Sequence, residues 1–297
     1  MLRIIADSTC DISKEDARKM GIQIVPISVR FGNEEFLDGV EITHEEFYTR
    51  LAECDELPKT SQPSPDTFMK VFNEAVAAGD DVLGIFISSD LSGTYQSACL
   101  AALDVEEETE KKLYMVDSRS ASIGTALLIR EAVKLRDAGV NVSDIAAACT
   151  EMSKYIKLTA VVGSLKYLKM GGRLSGAAAF AGTMLHITPV VSIEDGKVVV
   201  IGKTRGKKAA EKLMHDKLTE DGLSLTRDFM FGHINCSESL ETFINKSLTY
   251  ISDVNGNVGV SSIGCSVGTH VGPGTYGIAY VEAAESGMNR ESIVKTA

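Results

Sequence analysis

A largely apolar run followed by helix-forming residues predicts a strand that leads into a helix in the first half of the chain. Residues 82–87 have the composition of a strand buried on both faces, and helix formers resume at residues 95–103. The connecting stretch, SSDLSGT, would lie at the carboxyl edge of a parallel sheet, where open α/β sheets bind ligands. Because the first amides of a helix face that edge, the pattern favours an anion site.

Strands and helices alternate over the first 157 residues. Strands are predicted at residues 2–6, 22–29, 82–87 and 112–116, and helices at 15–20, from 43, at 95–103, 121–137 and 141–155. A polar loop is expected at 31–39, and a rigid proline-rich loop at 57–68 that becomes helical only after Pro65. Such alternation is typical of a parallel sheet with helices on both faces.

From residue 158 onward the pattern indicates a mixed sheet. Asp195-Gly196 separates two apolar runs and is the strongest hairpin signal in the chain. Strands are predicted at residues 159–163, 187–193, 197–202, 229–234, 258–263 and 277–281, with helices before Gly171, at 177–185 and at 237–251. The predicted fold is α/β with two domains, a Rossmann-like parallel-sheet domain over residues 1–157 and a mixed-sheet domain over residues 158–297.

Composition narrows the class of protein. A length of 297 residues suggests two domains, and a formal charge of −11 argues against a nucleic-acid binder. The six cysteines include no C-x-x-C pair and are expected to be reduced packing thiols. The chain starts without the apolar region of a signal peptide and has no run long enough to span a bilayer, so the expected location is the cytoplasm. An aromatic content of 6% favours a monomer.

Hydroxyl side chains mark the predicted anion site. Ser92 and Thr94 lie in the SSDLSGT loop, and no lysine follows Gly93 as it would in a phosphate-binding loop. These donors therefore suit a carboxylate better than a triphosphate. Thr60 and Ser61 would lie near this loop if both segments occupy the carboxyl edge. The alternative is that Ser92 caps the helix and that Thr60 and Ser61 are turn or cap residues.

Two positively chargeable side chains next to glycines are further candidates. Arg173 follows a double glycine, and His270 lies in a glycine-rich loop, so the two could close over one anion. An ordinary exposed position is the alternative for each. Basic residues also cluster at 203–208 and include Arg205, where both a solvated helix face and a docking surface for a phosphate or an acidic partner fit the pattern.

Two motif matches are not expected to be functional, and the histidines do not indicate a metal site. GCSVG at 264–268 fits a nucleophile elbow, which needs a helix directly after the serine, whereas the following GTHVGPG is expected to form a loop. GPGTYG at 272–277 fits a dinucleotide-binding pattern but precedes a predicted strand. The five histidines show no paired ligand spacing, so no metal site is expected.

Five motifs resemble those of the DegV family of bacterial fatty-acid-binding proteins. They occur in order along nearly the whole chain: TSQPSP at 60–65, SSDLSGTYQSA at 88–98, VDSRSASIG at 116–124, LKMGGRLS at 168–175 and GTHVGPG at 268–274. The resemblance implies a Rossmann-like domain and a mixed α/β domain with a long-chain fatty acid between them. It also implies an ATP-dependent fatty acid kinase as partner, which phosphorylates the bound acid for phospholipid synthesis, with an acyltransferase as a further partner.

The resemblance also implies roles for individual residues. The ligand-binding residues it implies are Thr60, Ser92, Ser61, Thr94, Arg173 and His270. Thr60 and Ser92 would hold the carboxylate, and Ser61 and Thr94 would lie nearby. Arg173 and His270 would form a positive pair at the head group. Arg205 matches a position associated with docking the kinase, while Thr188 stands where the family commonly has a lysine. No catalytic nucleophile, cofactor, metal, nucleic acid or stable membrane insertion is implied.

Two other functions fit parts of the sequence. An enzyme acting alone on a small anionic or phosphorylated substrate would use the Asp7-Ser8-Thr9 loop and the basic cluster. A regulatory interaction protein would use the basic cluster at 203–208 alone. A long-chain fatty acid extracted from the purified protein would favour the carrier over both.

Overall fold

The structure is a computed structural model and describes residues 1–54, 56–176, 187–224, 226–251 and 256–283. The helix predicted at 177–185 lies outside the described residues. The strands are β1 (Leu2–Asp7), β2 (Ile22–Val25), β3 (Ser28–Phe31), β4 (Glu34–Leu37), β5 (Lys59–Ser61), β6 (Asp81–Phe86), β7 (Tyr114–Asp117), β8 (Ile156–Val161), β9 (Thr188–Glu194), β10 (Lys197–Thr204), β11 (Phe229–His233), β12 (Val258–Ser262) and β13 (Tyr276–Val281).

The helices are α1 (Lys14–Met20), α2 (His44–Glu53), α3 (Pro65–Ala77), α4 (Thr94–Thr109), α5 (Ile123–Asp137), α6 (Val142–Met152), α7 (Lys166–Met170), α8 (Lys207–Asp221), α9 (Ser237–Ser247) and α10 (Cys265–Val271). A short 3-10 turn, Ser8–Cys10, follows β1. Thr43 and Glu46 form the capping box that starts α2, as their spacing suggests. None of these described helices is both long enough and apolar enough to cross a bilayer.

The first half of the chain builds a parallel four-stranded sheet in the order β2-β1-β6-β7. The apolar run at 82–87 forms its central strand β6, in which every residue after Asp81 is buried. Helices α5 and α6 cover one face of the sheet, and α3 and α4 cover the other. Burial on both faces explains why β6 is continuously apolar instead of alternating.

The second half builds a six-stranded mixed sheet in the order β10-β9-β8-β13-β11-β12. Strands β11 and β12 pair in parallel, and the other neighbours are antiparallel. Strands β9 and β10 form the predicted hairpin, and the turn residues Asp195 and Gly196 have φ values of 47° and 80°. Two positive φ values are what a tight two-residue hairpin turn requires. The predicted α/β fold with one parallel and one mixed sheet is confirmed.

A third sheet, with the antiparallel order β4-β3-β5, differs from the sequence prediction. Pro26 divides the apolar run at 22–29, because its ring fixes φ and removes an amide, so β2 joins the first sheet and β3 joins the third. The predicted loop at 31–39 contains β4, and the rigid loop contains β5, with α3 starting at Pro65 itself. The prediction is wrong here because strands of three or four residues carry too short a pattern to recognise.

Helix α10 is a second difference from the prediction. The sequence predicts a loop through GTHVGPG, but α10 is helical up to Gly272, where φ is 76°. The carboxylate of Asp38 accepts hydrogen bonds from the first amides of the helix, at Cys265 (3.2 Å) and Ser266 (3.1 Å). Because these acceptors come from a residue far away in the sequence, the local pattern does not reveal the helix. The glycine and proline of the motif end the helix instead of preventing it.

An apolar cluster joins the two halves of the chain. Ile87 and Ala121 follow the carboxyl ends of β6 and β7, and they pack with Ala160, Val191 and Ile193 of the second sheet. The carboxyl edge of the parallel sheet therefore faces the second sheet across a largely aliphatic contact. This contact positions the candidate site.

Candidate functional site

A cavity of about 930 Å³, including the part that opens to solvent, lies along the contact between the two halves. The second sheet supplies aliphatic wall residues, namely Leu158, Ala160, Val191, Ile193 and Val198. Other parts of the wall are also aliphatic and include Ile27, Ile87, Ala121, Ile123 and Val267. Such walls favour an extended hydrocarbon over a polar ligand.

Thr60 and His270 form one polar part of the cavity wall. Strand β5 places Thr60 opposite Val29 of β3, and α10 brings His270 from the far end of the chain. Thr60 Oγ1 lies 2.9 Å from His270 Nε2, and both residues line the cavity. Side chains alternate along a strand, and the neighbouring Ser61 is exposed and does not line the cavity.

Ser92 also lines the cavity, just before α4. Its Oγ lies 2.8 Å from Thr94 Oγ1 and accepts a hydrogen bond from the Thr94 amide at 3.3 Å. The residue at the N-cap is Gly93, which has no side chain to cap the helix. Thr94 is fully buried and does not line the cavity, so it orients Ser92 instead of facing a ligand.

The loops that carry Thr60 and Ser92 contact each other directly. The hydroxyl of Ser97 in α4 donates a hydrogen bond to the Pro63 carbonyl at 2.7 Å. The Gln62 side chain lies directly against Gly93, which also brings the two loops into contact. The proximity that the sequence suggests between the proline-rich loop and the SSDLSGT loop is therefore present in the structure.

Arg173 places a positive charge beside the same loops. It follows α7 and lines the cavity, with its guanidinium donating hydrogen bonds to the carbonyls of Leu91 (3.2 Å) and Gly171 (2.6 Å). These bonds use some of its donors and fix its direction, while its other donors have no partner among the described residues and can meet an anion.

His270 is held in its neutral form in this structure. Burial, followed by repulsion from Arg173, lowers the pKa of His270 to about 4. The ring is therefore uncharged at neutral pH, unlike the positively charged partner that the sequence suggests. Its Nδ1 is buried and has no hydrogen-bond partner among the residues that the structure describes. Gly171 lies against this ring, and a methyl group there would overlap Nδ1.

Ser266 is a wall residue, although the sequence marks it only as a possible nucleophile. It lies one helical turn before His270 in α10, is 2% exposed and lines the cavity. Its Oγ has no hydrogen-bond partner among the described residues, so no histidine or carboxylate is hydrogen-bonded to it in this structure. The four-residue spacing from His270 is the signal that would have placed both residues on one helix face.

Arg205 lies apart from the cavity. It is exposed in the connection between β10 and α8 and is not among the cavity-lining residues. The neighbouring Thr204 pairs with Thr188 across the hairpin, and its hydroxyl donates to the Thr188 carbonyl at 2.9 Å. A lysine at position 188 would therefore place another positive charge next to the basic cluster at 203–208. In this chain the cluster includes Lys203 and Lys207.

The arrangement suits an amphipathic acid. Hydroxyls at Thr60 and Ser92, a neutral imidazole and one guanidinium can bind a single carboxylate. The aliphatic walls remove an attached hydrocarbon from water.

Comparisons with known proteins agree with this geometry. A family described as "Uncharacterised protein, DegV family" matches residues 1–283. A DegV domain-containing protein of Clostridium perfringens is 34% identical over 290 residues, which cover 95% of this chain and 98% of the relative. A DegV family protein from Thermus thermophilus, whose structure is described as showing fatty acid binding, is similar with a TM-score of 0.84 and 31% identity over 95% of this chain and 100% of that one.

A second solved structure extends the comparison. A stearic acid-binding protein from Eubacterium ventriosum has a TM-score of 0.84 and 29% identity, covering 96% of this chain and 100% of that one. The family match spans residues 1–283, and the Clostridium perfringens relative shares 34% sequence identity with this chain. Both findings agree with the motif resemblance. The chain belongs to the DegV family.

Proposed function

We propose that this protein binds a long-chain fatty acid with the carboxylate near Thr60, Ser92, Arg173 and His270 and the acyl chain along the aliphatic cavity. The observation that carries the proposal is the combination of a polar cluster and apolar walls in one cavity. Fatty acid binding is described for the Thermus thermophilus relative, which supports the same ligand class for this chain.

The hydrocarbon would supply most of the affinity. A sixteen-carbon acid brings about 15 methylene or methyl groups, worth about 0.8 kcal/mol each when fully buried, or about 12 kcal/mol in all before the costs of ordering. The polar cluster would supply less affinity and more orientation, since each net hydrogen bond to a charged group contributes about 1.5–3 kcal/mol.

We also propose that a partner enzyme performs the chemistry on the bound acid. In the cytoplasm, an ATP-dependent fatty acid kinase would take the held carboxylate as acceptor. A carboxylate oxygen would form the new bond to the γ-phosphorus, ADP would leave, and an acyl phosphate would result for use by an acyltransferase. Arg205 and the exposed basic cluster around it would dock the kinase outside the cavity.

The stand-alone enzyme receives no support from the loop that suggested it. Both carboxylate oxygens of Asp7 are occupied, one by the Thr9 amide and hydroxyl and the other by the Ile87 amide at 2.9 Å. Asp7 is fully buried, and burial raises its pKa. Its observed contacts fasten the loop to the neighbouring strand, which is a structural role.

Extraction of the purified protein under denaturing conditions, followed by mass spectrometry, tests the ligand. The expected result is a long-chain fatty acid close to one equivalent. An extract without fatty acid, combined with failure of the delipidated protein to bind added palmitate, would overturn the proposal.

Two substitutions test the division of roles. Ser92→Ala should weaken palmitate binding by about tenfold, because it removes one hydroxyl donor to the carboxylate. Arg205→Ala should leave binding unchanged and reduce kinase-dependent formation of acyl phosphate. Ser89→Ala, in the same loop but outside the cavity lining, is the matched control. Equal losses of binding in the Ser92 and Arg205 variants would contradict this division.

A further inference from the structure

Three side chains with metal-binding atoms meet at the start of α10, outside the lipid cavity. Asp38 follows β4, His44 is the first residue of α2, and Cys265 is the first residue of α10. Their ligating atoms, one carboxylate oxygen, one imidazole nitrogen and one thiol sulfur, all lie within 4.8 Å of one another. Because the three residues come from distant parts of the sequence, no ligand spacing along the chain indicates the cluster.

Gly264 provides space at the centre of this group. A methyl group on Gly264 would lie 3.0 Å from Asp11 Oδ1, 3.1 Å from His44 Nε2 and 3.5 Å from Asp38 Oδ1. Its φ of −79° is available to any residue, so the turn itself does not require glycine. Because Gly264 has no side chain, the polar atoms of Asp11, His44 and Asp38 lie close to its backbone.

The cluster contains two carboxyl groups, Asp11 and Asp38, beside the imidazole of His44. Asp11 accepts hydrogen bonds from the Gly264 amide at 2.8 Å and from the Ser122 hydroxyl, while Asp38 accepts from two amides and from Ser8. Among the described residues, no lysine or arginine forms an ion pair with Asp11 or Asp38. A divalent cation would supply a positive charge in direct contact with Asp38 and His44, although Lys14 and Arg18 line the same surface cavity.

We propose that Asp38, His44 and Cys265 form a binding site for a divalent transition-metal ion, with zinc as the best fit. One oxygen, one nitrogen and one sulfur ligand match the preferences of zinc, which takes four ligands in a tetrahedral arrangement. A surface cavity lined by Asp11, Asp38 and His44 reaches the group from solvent, and it would admit the ion and a water molecule as the fourth ligand. The site is independent of the proposed lipid function.

Binding changes the protonation of the cluster. The Cys265 thiol gives up its proton to the solvent as the metal–sulfur bond forms, and the imidazole binds through its neutral nitrogen. Each bound zinc should therefore release about one proton at neutral pH, which calorimetry in buffers of different ionisation enthalpy measures. No oxidant or reductant is involved.

A metal ion at this site would stabilise the structure around α10. Asp38 already contacts the first amides of α10, and His270, near the other end of the same helix, lines the lipid cavity. A metal would tie α10 to α2 and to the segment after β4, and so would stabilise one wall of the cavity. Zinc should accordingly raise the midpoint of thermal unfolding by mass action.

The test uses the full chain after treatment with a chelator, titrated with zinc(II) or cobalt(II) alone. We expect one equivalent of metal to bind, and the cobalt form to show the charge-transfer absorption of a thiolate ligand. Cys265→Ser and His44→Ala should each weaken metal binding at least tenfold, and Cys265→Ser should abolish the charge-transfer band. Cys99→Ser, at a half-buried cysteine of α4, is the matched control and should bind like the unmodified chain.

The variants must also separate metal binding from loss of the fold. His44 is only half-buried, so His44→Ala is expected to keep the fold and reports metal binding separately from stability. Gly264→Ala should also weaken binding, because its methyl group would occupy the space among the polar atoms. Metal affinity that is unchanged in folded His44→Ala and Cys265→Ser, or a cobalt spectrum without a thiolate band, would overturn the proposal.

Discussion

Gly171 leaves the space that the imidazole of His270 occupies. A methyl group at position 171 would overlap His270 Nδ1, and the φ of Gly171 is −73°, which alanine adopts without strain. The glycine is therefore explained by the neighbouring ring and not by the backbone.

The first prediction follows from this contact. Gly171→Ala should displace the His270 ring from Thr60 and weaken fatty acid binding by about tenfold, comparable to the loss of one hydrogen bond. Titration of the delipidated protein with palmitate measures the effect. Met170→Ala, at the adjacent exposed position, is the control, and equal affinities in the two variants would show that the ring position does not matter.

A second prediction separates two adjacent hydroxyl residues. Thr60→Val keeps the shape of the side chain but removes a donor within reach of His270 and of a carboxylate, so affinity should fall about tenfold to a hundredfold. Ser61→Ala should change affinity less than about twofold, because Ser61 is exposed and outside the cavity lining. A larger loss for Ser61→Ala than for Thr60→Val would reverse this assignment.

A third prediction concerns the stability of the empty protein in acid. The pKa of His270 is about 4 in the folded state and about 6.5 in the unfolded state, so the unfolded chain binds the proton first as the pH falls. Stability due to this group is therefore complete above about pH 6.5 and is lost between pH 6.5 and pH 4. Between pH 7 and pH 5 the loss should be about 2 kcal/mol.

The measurement is urea unfolding of the delipidated protein and of His270→Gln at both pH values. The variant should show a smaller acid loss by that amount, since other titrating groups contribute equally to both proteins. Identical acid losses would show that His270 is not held neutral in the folded state.

A fourth prediction tests the hydrocarbon path. Ala121→Leu adds three carbon atoms to the cavity wall at a buried residue, of which 8% is exposed. The enlarged side chain should exclude part of the acyl chain and shift the preference toward shorter acids, with each lost methylene costing about 0.8 kcal/mol, or about fourfold in affinity. Competition between acids of increasing length measures the shift, and an unchanged preference would place the chain elsewhere.

The sequence predicts those elements whose pattern is long or whose turn chemistry is local. Strand β6, the Thr43–Glu46 capping box and the Asp195-Gly196 turn are of this kind, because burial, capping and positive φ act over a few neighbouring residues. Strands β3 to β5 and helix α10 are not predicted by the sequence, because their stability depends on partners distant in the sequence, such as Asp38 for α10.

The candidate site shows the same division. Thr60, Ser92, Arg173 and His270 can be selected from motifs, and the structure places all of them on one cavity. The exposure of Ser61, the burial of Thr94 and the neutrality of His270 depend on which way a side chain faces and on what surrounds it. Those properties depend on the folded arrangement around each side chain and not on the motifs.

A crystal structure of the protein loaded with palmitate is the most direct test of fatty acid binding in this cavity. We expect a carboxylate oxygen about 3 Å from Thr60 Oγ1 or Ser92 Oγ, with the acyl chain between Ala121 and the second sheet. A carboxylate at the opposite end of the cavity, or palmitate bound outside a cavity that has closed, would contradict it.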